Sequence, residues 1–220
     1  MPTLGDIVTR LSFLAAMPAV AAIFITTSLL VVSREWRLNV FALAVQYFFV
    51  VLLMTRLIRL EVAAVKGLIG WMICMVFYMT ERRASELASY ADGGAESISR
   101  WRRWVMSARA AFCLLSMLLV AVAANTAALR FPLPEVSSDI TLACYVMAGL
   151  GLLLIGLSEA PMQVGFGLLT FLSAFDLFYV ALEPSLAVAG LLGAVSFLIA
   201  LAVAYLRASQ VAVGDGESSA

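Results

Sequence analysis

Seven apolar runs, parted by short charged or proline-containing breaks, account for most of this chain. The first extends from Leu11 to Val32 and meets Ser33-Arg34-Glu35-Trp36-Arg37; the second, Asn39 to Met54, meets Thr55-Arg56-Leu57-Ile58-Arg59. The third runs from Glu61 to Thr80 and carries Lys66 near its start. A fourth, Val105 to Leu129, stops at Arg130-Phe131-Pro132-Leu133-Pro134, where two prolines bar helix continuation. Ser137, Ser138 or Asp139 can cap the fifth, Ile140 to Leu157. Ala160-Pro161 separates it from the sixth, Met162 to Leu182. Glu183-Pro184-Ser185 opens the seventh, Leu186 to Leu206, with the proline at a tolerated first-turn position. In lipid each backbone donor must be satisfied within its own segment. Runs of about 16–25 residues also lack the alternation over about ten residues that marks a barrel strand. The pattern predicts an all-α integral membrane protein with about seven transmembrane helices.

The breaks organise the chain further. A secretory leader has an apolar stretch of only about 7–15 residues; the first run is longer and flows straight into charged residues, so it reads as a retained anchor. Residues 1–104 form an N-terminal three-helix membrane segment that includes the polar loop 81–104. That loop contains Asp92-Gly93-Gly94, a turn signal, and reads either as a surface amphipathic helix or as a plain solvated loop. Residues 105–136 supply a fourth helix and an external loop, 137–209 a C-terminal three-helix unit, and 210–220 a small, polar tail expected to be disordered.

Composition narrows the function classes. The 220 residues are 64% hydrophobic and 13% charged, with a mean hydropathy of +1.04. Soluble domains average roughly 45–50% apolar and about 25% charged. A soluble enzyme, a nucleic-acid binder or a disordered chain is thereby excluded, and few residues remain for a large water-exposed domain. Fourteen basic and fourteen acidic residues give zero net charge, so no global field recruits nucleic acid. The chain has no histidine, and its three cysteines, Cys74, Cys113 and Cys144, stand singly in apolar runs. The usual ligand sets for zinc, haem and iron–sulfur clusters are therefore lacking, and no metal, cofactor or catalytic residue is expected.

Arginine placement sets the expected orientation. Arg34, Arg37, Arg82, Arg83, Arg100, Arg102, Arg103 and Arg207 fall on one side; Arg10, Arg56, Arg59 and Arg130 fall on the other. The richer side is cytoplasmic by the positive-inside rule, so the N-terminus is expected outside and the C-terminus in the cytoplasm of the cell's inner (plasma) membrane.

Ionisable residues at membrane depth are costly and point to function. Arg109 is near enough to the inner interface to snorkel, and Glu61, Glu159 and Glu183 sit at span ends. Lys66 and Asp176 differ. At 1.5 Å per residue they fall roughly 8 and 10 Å below the same outer interface. An opposite-charge pair there, direct or water-bridged, would offset part of each desolvation cost. The other reading has Lys66 snorkelling outward while Asp176 bonds a helix hydroxyl or stays protonated. Gln46, Asn125, Thr170, Ser173 and Ser196 are milder and are read as helix-packing polar groups. Gly149, Gly151, Gly156, Gly165, Gly167, Gly190 and Gly193 crowd the last three runs and mark that half as the closely packed one.

The stretch Gly167-Leu-Leu-Thr-Phe-Leu-Ser173-Ala174-Phe-Asp176-Leu177 resembles the G-L-E-x-x-x-N-A-x-N-L segment of subunit K of NADH-quinone oxidoreductase. Ser173 and Asp176 take its two asparagine positions. Ser196-Phe-Leu-Ile-Ala-Leu-Ala202 is similar to the E-A-A-I-G-L-A of that subunit's last helix. The C component of Mrp-type cation/proton antiporters is similar in outline. In overall plan the chain looks closest to hydrogenase-4 component E, a subunit-K-like helix trio preceded by extra spans. Arg37-Leu38 followed by Gln46 resembles the second helix of that component, and Val65-Lys66-Gly67-Leu68-Ile69 its T-K-V-L-L segment, matching at the lysine. Its G-x-x-x-x-E-N-G-x-x-L motif overlays Gly167 to Leu177, with Leu172 at the acidic position. Both glutamate positions of the subunit K pattern are non-ionisable here, Leu169 and Ser196, so their proton role does not carry over. The resemblance implies a non-catalytic membrane subunit of a complex-I-like or group 4 hydrogenase-like ion-translocating assembly, packed against antiporter-like membrane subunits in the bilayer. A free-standing small transporter is the competing expectation.

Overall fold

A computed structural model describes residues 16–33, 35–58, 60–91, 108–131, 137–182 and 185–217. Among them are seven helices: α1 (Ala16–Val32), α2 (Trp36–Met54), α3 (Leu60–Ala91), α4 (Ala108–Arg130), α5 (Ser138–Leu157), α6 (Pro161–Leu182) and α7 (Leu186–Glu217). Six of them, α2 to α7, are long and apolar enough to cross a membrane; α1 is apolar and shorter, 17 residues or about 25 Å. The protein is an all-α, multi-pass membrane protein.

Except between α3 and α4, where residues 92–107 intervene, connections between helices are short, which makes successive helices antiparallel neighbours. α2 closes with a tight turn in which Leu57 and Ile58 both donate backbone N–H bonds to the Met54 carbonyl, and α3 starts at Leu60. α5 ends as Ser158 adopts an extended backbone. Soon afterwards Pro161 opens α6 at the position where its missing N–H is harmless. Ser137 is the N-cap of α5, but through its carbonyl, which accepts from Ile140 and Thr141, and not through a side-chain cap bond.

The helices stack in two layers, α1–α2–α3 against α5–α6–α7, with α1 on α5, α2 on α6 and α3 on α7. Counterparts run in the same direction. Ile69 and Glu81 of α3 meet Gly193 and Arg207 of α7 in the same order, and Gln46 of α2 meets Thr170 of α6. α4 lies outside this sandwich against α5 and α1, burying only Met117 and Ala124 of its described side chains and exposing Phe112, Leu115, Leu119 and Val122. The core is split along the helix axes. One cluster gathers Ile23, Leu53, Met54, Ile140, Met147 and Leu177 at one end; the other gathers Leu30, Leu43, Phe77, Leu154, Phe166 and Leu169 at the opposite end.

Glycine permits the closest approach, between α5 and α6. A Cβ on Gly151 would stand 2.8 Å from the Phe171 nitrogen, and one on Gly167 would stand 2.9 Å from the Gly151 oxygen. Gly149, Gly165 and Gly193 each face a side chain, from Val120, Val203 and Ile69. Gly156 and Gly190 face open space and do not share the close-packing role expected of the whole set.

Two expectations about helix ends are corrected. The polar stretch after Thr80 is not a separate segment at its start, because α3 continues unbroken through Glu81 to Ala91. The tail expected to lack structure from residue 210 is helical to Glu217. Once a helix is nucleated, each added residue gains a bond, and no proline follows Pro184 to stop it. Asp92-Gly93-Gly94, Pro132, Pro134, Glu183, Pro184 and the side chains of Glu61 and Arg109 lie outside the described residues.

Candidate functional site

The buried face of each helix repeats every three or four residues, as an apolar seam requires. On α3 that stripe is Ala63, Lys66, Gly70, Ile73, Phe77, Glu81 and Ala84; on α6 it is Met162, Phe166, Leu169, Ser173, Asp176 and Val180. Two ionisable residues on α3 and one on α6 are thus carried into the core by the same periodicity that buries their apolar neighbours.

Lys66 and Asp176 meet. The Lys66 ammonium donates to Asp176 Oδ2 in an ion pair linking α3 to α6, with Lys66 4% and Asp176 1% exposed. The direct pair, one of the two readings left open by depth alone, is the arrangement present. Asp176 Oδ1 is buried without a hydrogen-bond partner. A buried ion pair repays its desolvation only when its remaining lone pairs are also satisfied, so this one is incompletely compensated.

Two further polar contacts sit on α6 one and two turns below Asp176. Thr170 Oγ1 donates to Gln46 Oε1 of α2 at 3.4 Å, with both residues buried. Ser173 donates to its own helix at the Leu169 carbonyl, 2.8 Å away, and lies beside the phenol of Tyr47, whose hydroxyl is buried and unpartnered. Residues 170, 173 and 176 therefore form three polar rungs on α6, facing α2, α2 and α3. They lie at the junction of the two apolar clusters. Protonating Asp176 would neutralise it and release Lys66, while the Ser173 and Thr170 hydroxyls are engaged with the Leu169 carbonyl and with Gln46.

The remaining polar candidates are placed differently. Ser196 is buried on α7 and donates to the Leu192 carbonyl at 2.9 Å, a bond within its own helix. Asn125 is exposed on α4 and does not serve as a buried packing group within this chain. Glu159 is exposed between α5 and α6. Cys74 and Cys144 are buried and Cys113 half-buried, all three free. Among the described residues no three His, Cys, Asp or Glu side chains gather closely enough to hold a metal ion.

One half-buried ion pair goes beyond the sequence expectations. Arg207 Nε donates to Glu81 Oε1 at 3.0 Å, joining α7 to α3 with Glu81 only 6% exposed. Extending the stripe from Lys66 in steps of three and four reaches Glu81, and stepping from Gly193 through Ser196, Ala200 and Val203 reaches Arg207. That periodicity is the signal that could have found both. Between this pair and the Gln46–Thr170 rung stand Phe77 and Phe166, edge to face at 5.2 Å between ring centroids, both fully buried. No protein-family model, curated protein or solved structure matches this chain.

Proposed function

We propose that this chain is a non-catalytic membrane subunit of a complex-I-like or group 4 hydrogenase-like ion-translocating assembly in the inner (plasma) membrane, with its N-terminus outside and its C-terminus cytoplasmic. In this reading the Lys66–Asp176 pair lies on, or braces, a proton or cation path. One observation carries the reading: a lysine–aspartate pair buried within the bundle, with one carboxylate oxygen unpartnered and hydroxyl-bearing rungs beside it. Intramembrane charges of this kind mark ion paths and proton relays, because lipid-exposed ones are too costly to keep. The resemblance to hydrogenase-4 component E at Lys66, and to subunit K around Asp176, points the same way. Since Leu169 and Ser196 replace the glutamates of that pattern, any proton-linked role would fall to Lys66 and Asp176. The outward apolar faces of α3, α4 and α7, with Trp71, Leu115, Leu119, Leu191 and Tyr205 exposed, suit contact with lipid or with larger membrane subunits.

A free-standing transporter is the second reading, favoured by the parallel stacking of two three-helix layers, since parallel repeats occur among transporters. Such repeats are related by rotation about the membrane normal, which would set α1 against α7. Here α1 packs on α5 instead. Isolation of the tagged chain from native membranes in mild detergent tests the assignment. Antiporter-like or hydrogenase-like membrane subunits should co-purify, and Asp176→Asn should lower the proton-linked activity of the isolated assembly. A stable, monodisperse single chain with no accompanying membrane subunits would overturn the subunit reading.

A further inference from the structure

At the end of the bundle where α2 and α6 begin, a cavity of ≈ 210 Å³ opens between four helices. Its walls include Trp36 and Asn39 of α2, Glu81 of α3, Gln163 and Phe166 of α6, and Arg207 of α7. Asn39 is 2% exposed; its amide nitrogen donates to the Ser33 carbonyl at 3.3 Å, while its Oδ1 is buried with no partner. The Glu81–Arg207 pair also lines the cavity, joined through Nε, one of five N–H donors of the guanidinium. The first turns of both α2 and α6 reach the cavity, with Glu35 as the N-cap of α2 and Glu159 exposed two residues ahead of α6. Helix N-termini present N–H groups without intrahelical acceptors and a partial positive charge, which suits an anion.

These features specify a ligand with two poles. Asn39 Oδ1 and the Glu81 carboxylate ask for N–H donors on a cation; Arg207 and the two N-termini ask for an anion. The ion pair is neutral as a unit, so a lone cation would meet Arg207 and a lone anion would meet Glu81. We infer that this cavity binds a primary ammonium and phosphate held two carbons apart, the phosphoethanolamine group, with the ammonium on Asn39 and Glu81 and the phosphate toward Arg207 and the starts of α2 and α6. The cavity lies where the apolar spans begin and end, which is headgroup depth. Choline analogues are excluded by chemistry: a quaternary ammonium has no N–H for Asn39. Nor does Trp36 offer a free ring face as compensation, since the Arg37 guanidinium lies over it at 5.2 Å and Tyr78 packs at 5.8 Å. The group can arrive as a lipid headgroup or as a soluble glycerophosphodiester, and both present the same atoms.

The test uses the full chain in nanodiscs of phosphatidylcholine alone or with phosphatidylethanolamine, read by native mass spectrometry and thermal midpoint. Phosphatidylethanolamine should be retained selectively and should raise the midpoint, while the choline lipid should do neither. Asn39→Leu should weaken retention by about tenfold, the loss of one charge-assisted hydrogen bond, and Arg207→Gln should do likewise. Soluble glycerophosphoethanolamine added to choline-lipid nanodiscs separates the sources. A midpoint rise there without selective lipid retention assigns the same site to a soluble ligand. Equal retention of the two lipids with no response to the soluble compound would overturn the inference. That comparison needs only the wild-type chain, so a variant that fails to fold leaves it decisive.

Discussion

Neutralising one member of the Lys66–Asp176 pair strands the other. Both side chains are almost fully covered, 5% and 2% exposed, so neither can recover water when its partner is removed. Breaking a buried pair costs about 3–5 kcal/mol. In a membrane protein the separated helices stay in an apolar phase and the unfolded reference also seeks partners, so the lower end, about 3 kcal/mol, applies to Asp176→Asn and to Lys66→Met. That is more than a hundredfold in the folded ratio, at about 1.4 kcal/mol per tenfold. In the double mutant the charges are gone and what remains is an incompletely bonded amide beside a thioether, costing about 1–3 kcal/mol. The double mutant should therefore be no worse than either single change, with a coupling of at least about 3 kcal/mol in the cycle. The assay is unfolding of the four proteins by SDS in mixed micelles, followed by tryptophan fluorescence, with monodispersity on size exclusion as a parallel measure. Losses that simply add, or single mutants as stable as wild type, would refute the reasoning and leave the two charges energetically independent.

Other consequences are open to direct measurement. Gly151→Ala should destabilise by about 1–3 kcal/mol because its new Cβ meets backbone of α6, whereas Gly190→Ala, facing open space, should be neutral or stabilising by up to about 1 kcal/mol; detergent-unfolding midpoints separate the two. Phe166→Ala should lose about 3–5 kcal/mol, as expected for a fully buried aromatic, measured on the same unfolding curve. Reporter fusions after Arg103 and at the C-terminus should read cytoplasmic and one after Pro134 external; a cytoplasmic signal at Pro134 would reverse the orientation proposed here.

Apolar runs locate the helices well because hydropathy reports the solvent that a segment demands. Helix length is less legible, since hydropathy is silent on continuity: α3 crosses from Thr80 into Glu81 with no backbone reason to stop, and only the change in polarity suggests a break. The same change hides the second ion pair. Glu81 and Arg207 look like solvated ends, although the three-and-four stepping that buries Lys66 and Ser196 carries directly to them. Asn39 looks like the edge of a run, and its burial follows from a helix that starts earlier, at Trp36. Lys66 and Asp176 are recoverable because depth along an apolar span is simple arithmetic. That they face one another depends on how α3 and α6 sit across the two layers, which the pattern along one chain does not encode. Nor does that pattern reveal that α4, as apolar as its neighbours, lies at the periphery.

The peripheral position of α4 bears on how the rest can be assembled. A block of three crossings is odd, so it leaves the chain on the face of the membrane opposite to where it entered. A second block joined directly to the first would be threaded upside down. The single crossing by α4 restores parity, and this is what allows α5, α6 and α7 to run alongside α1, α2 and α3 in the same sense. The depth match of Lys66 on the third helix and Asp176 on the sixth therefore depends on a helix that packs mainly elsewhere, on α5 and α1. A chain that lost α4 alone would carry the aspartate to the opposite leaflet, and only the further loss of α5, the other crossing between the two residues, could bring the two charges back to one level.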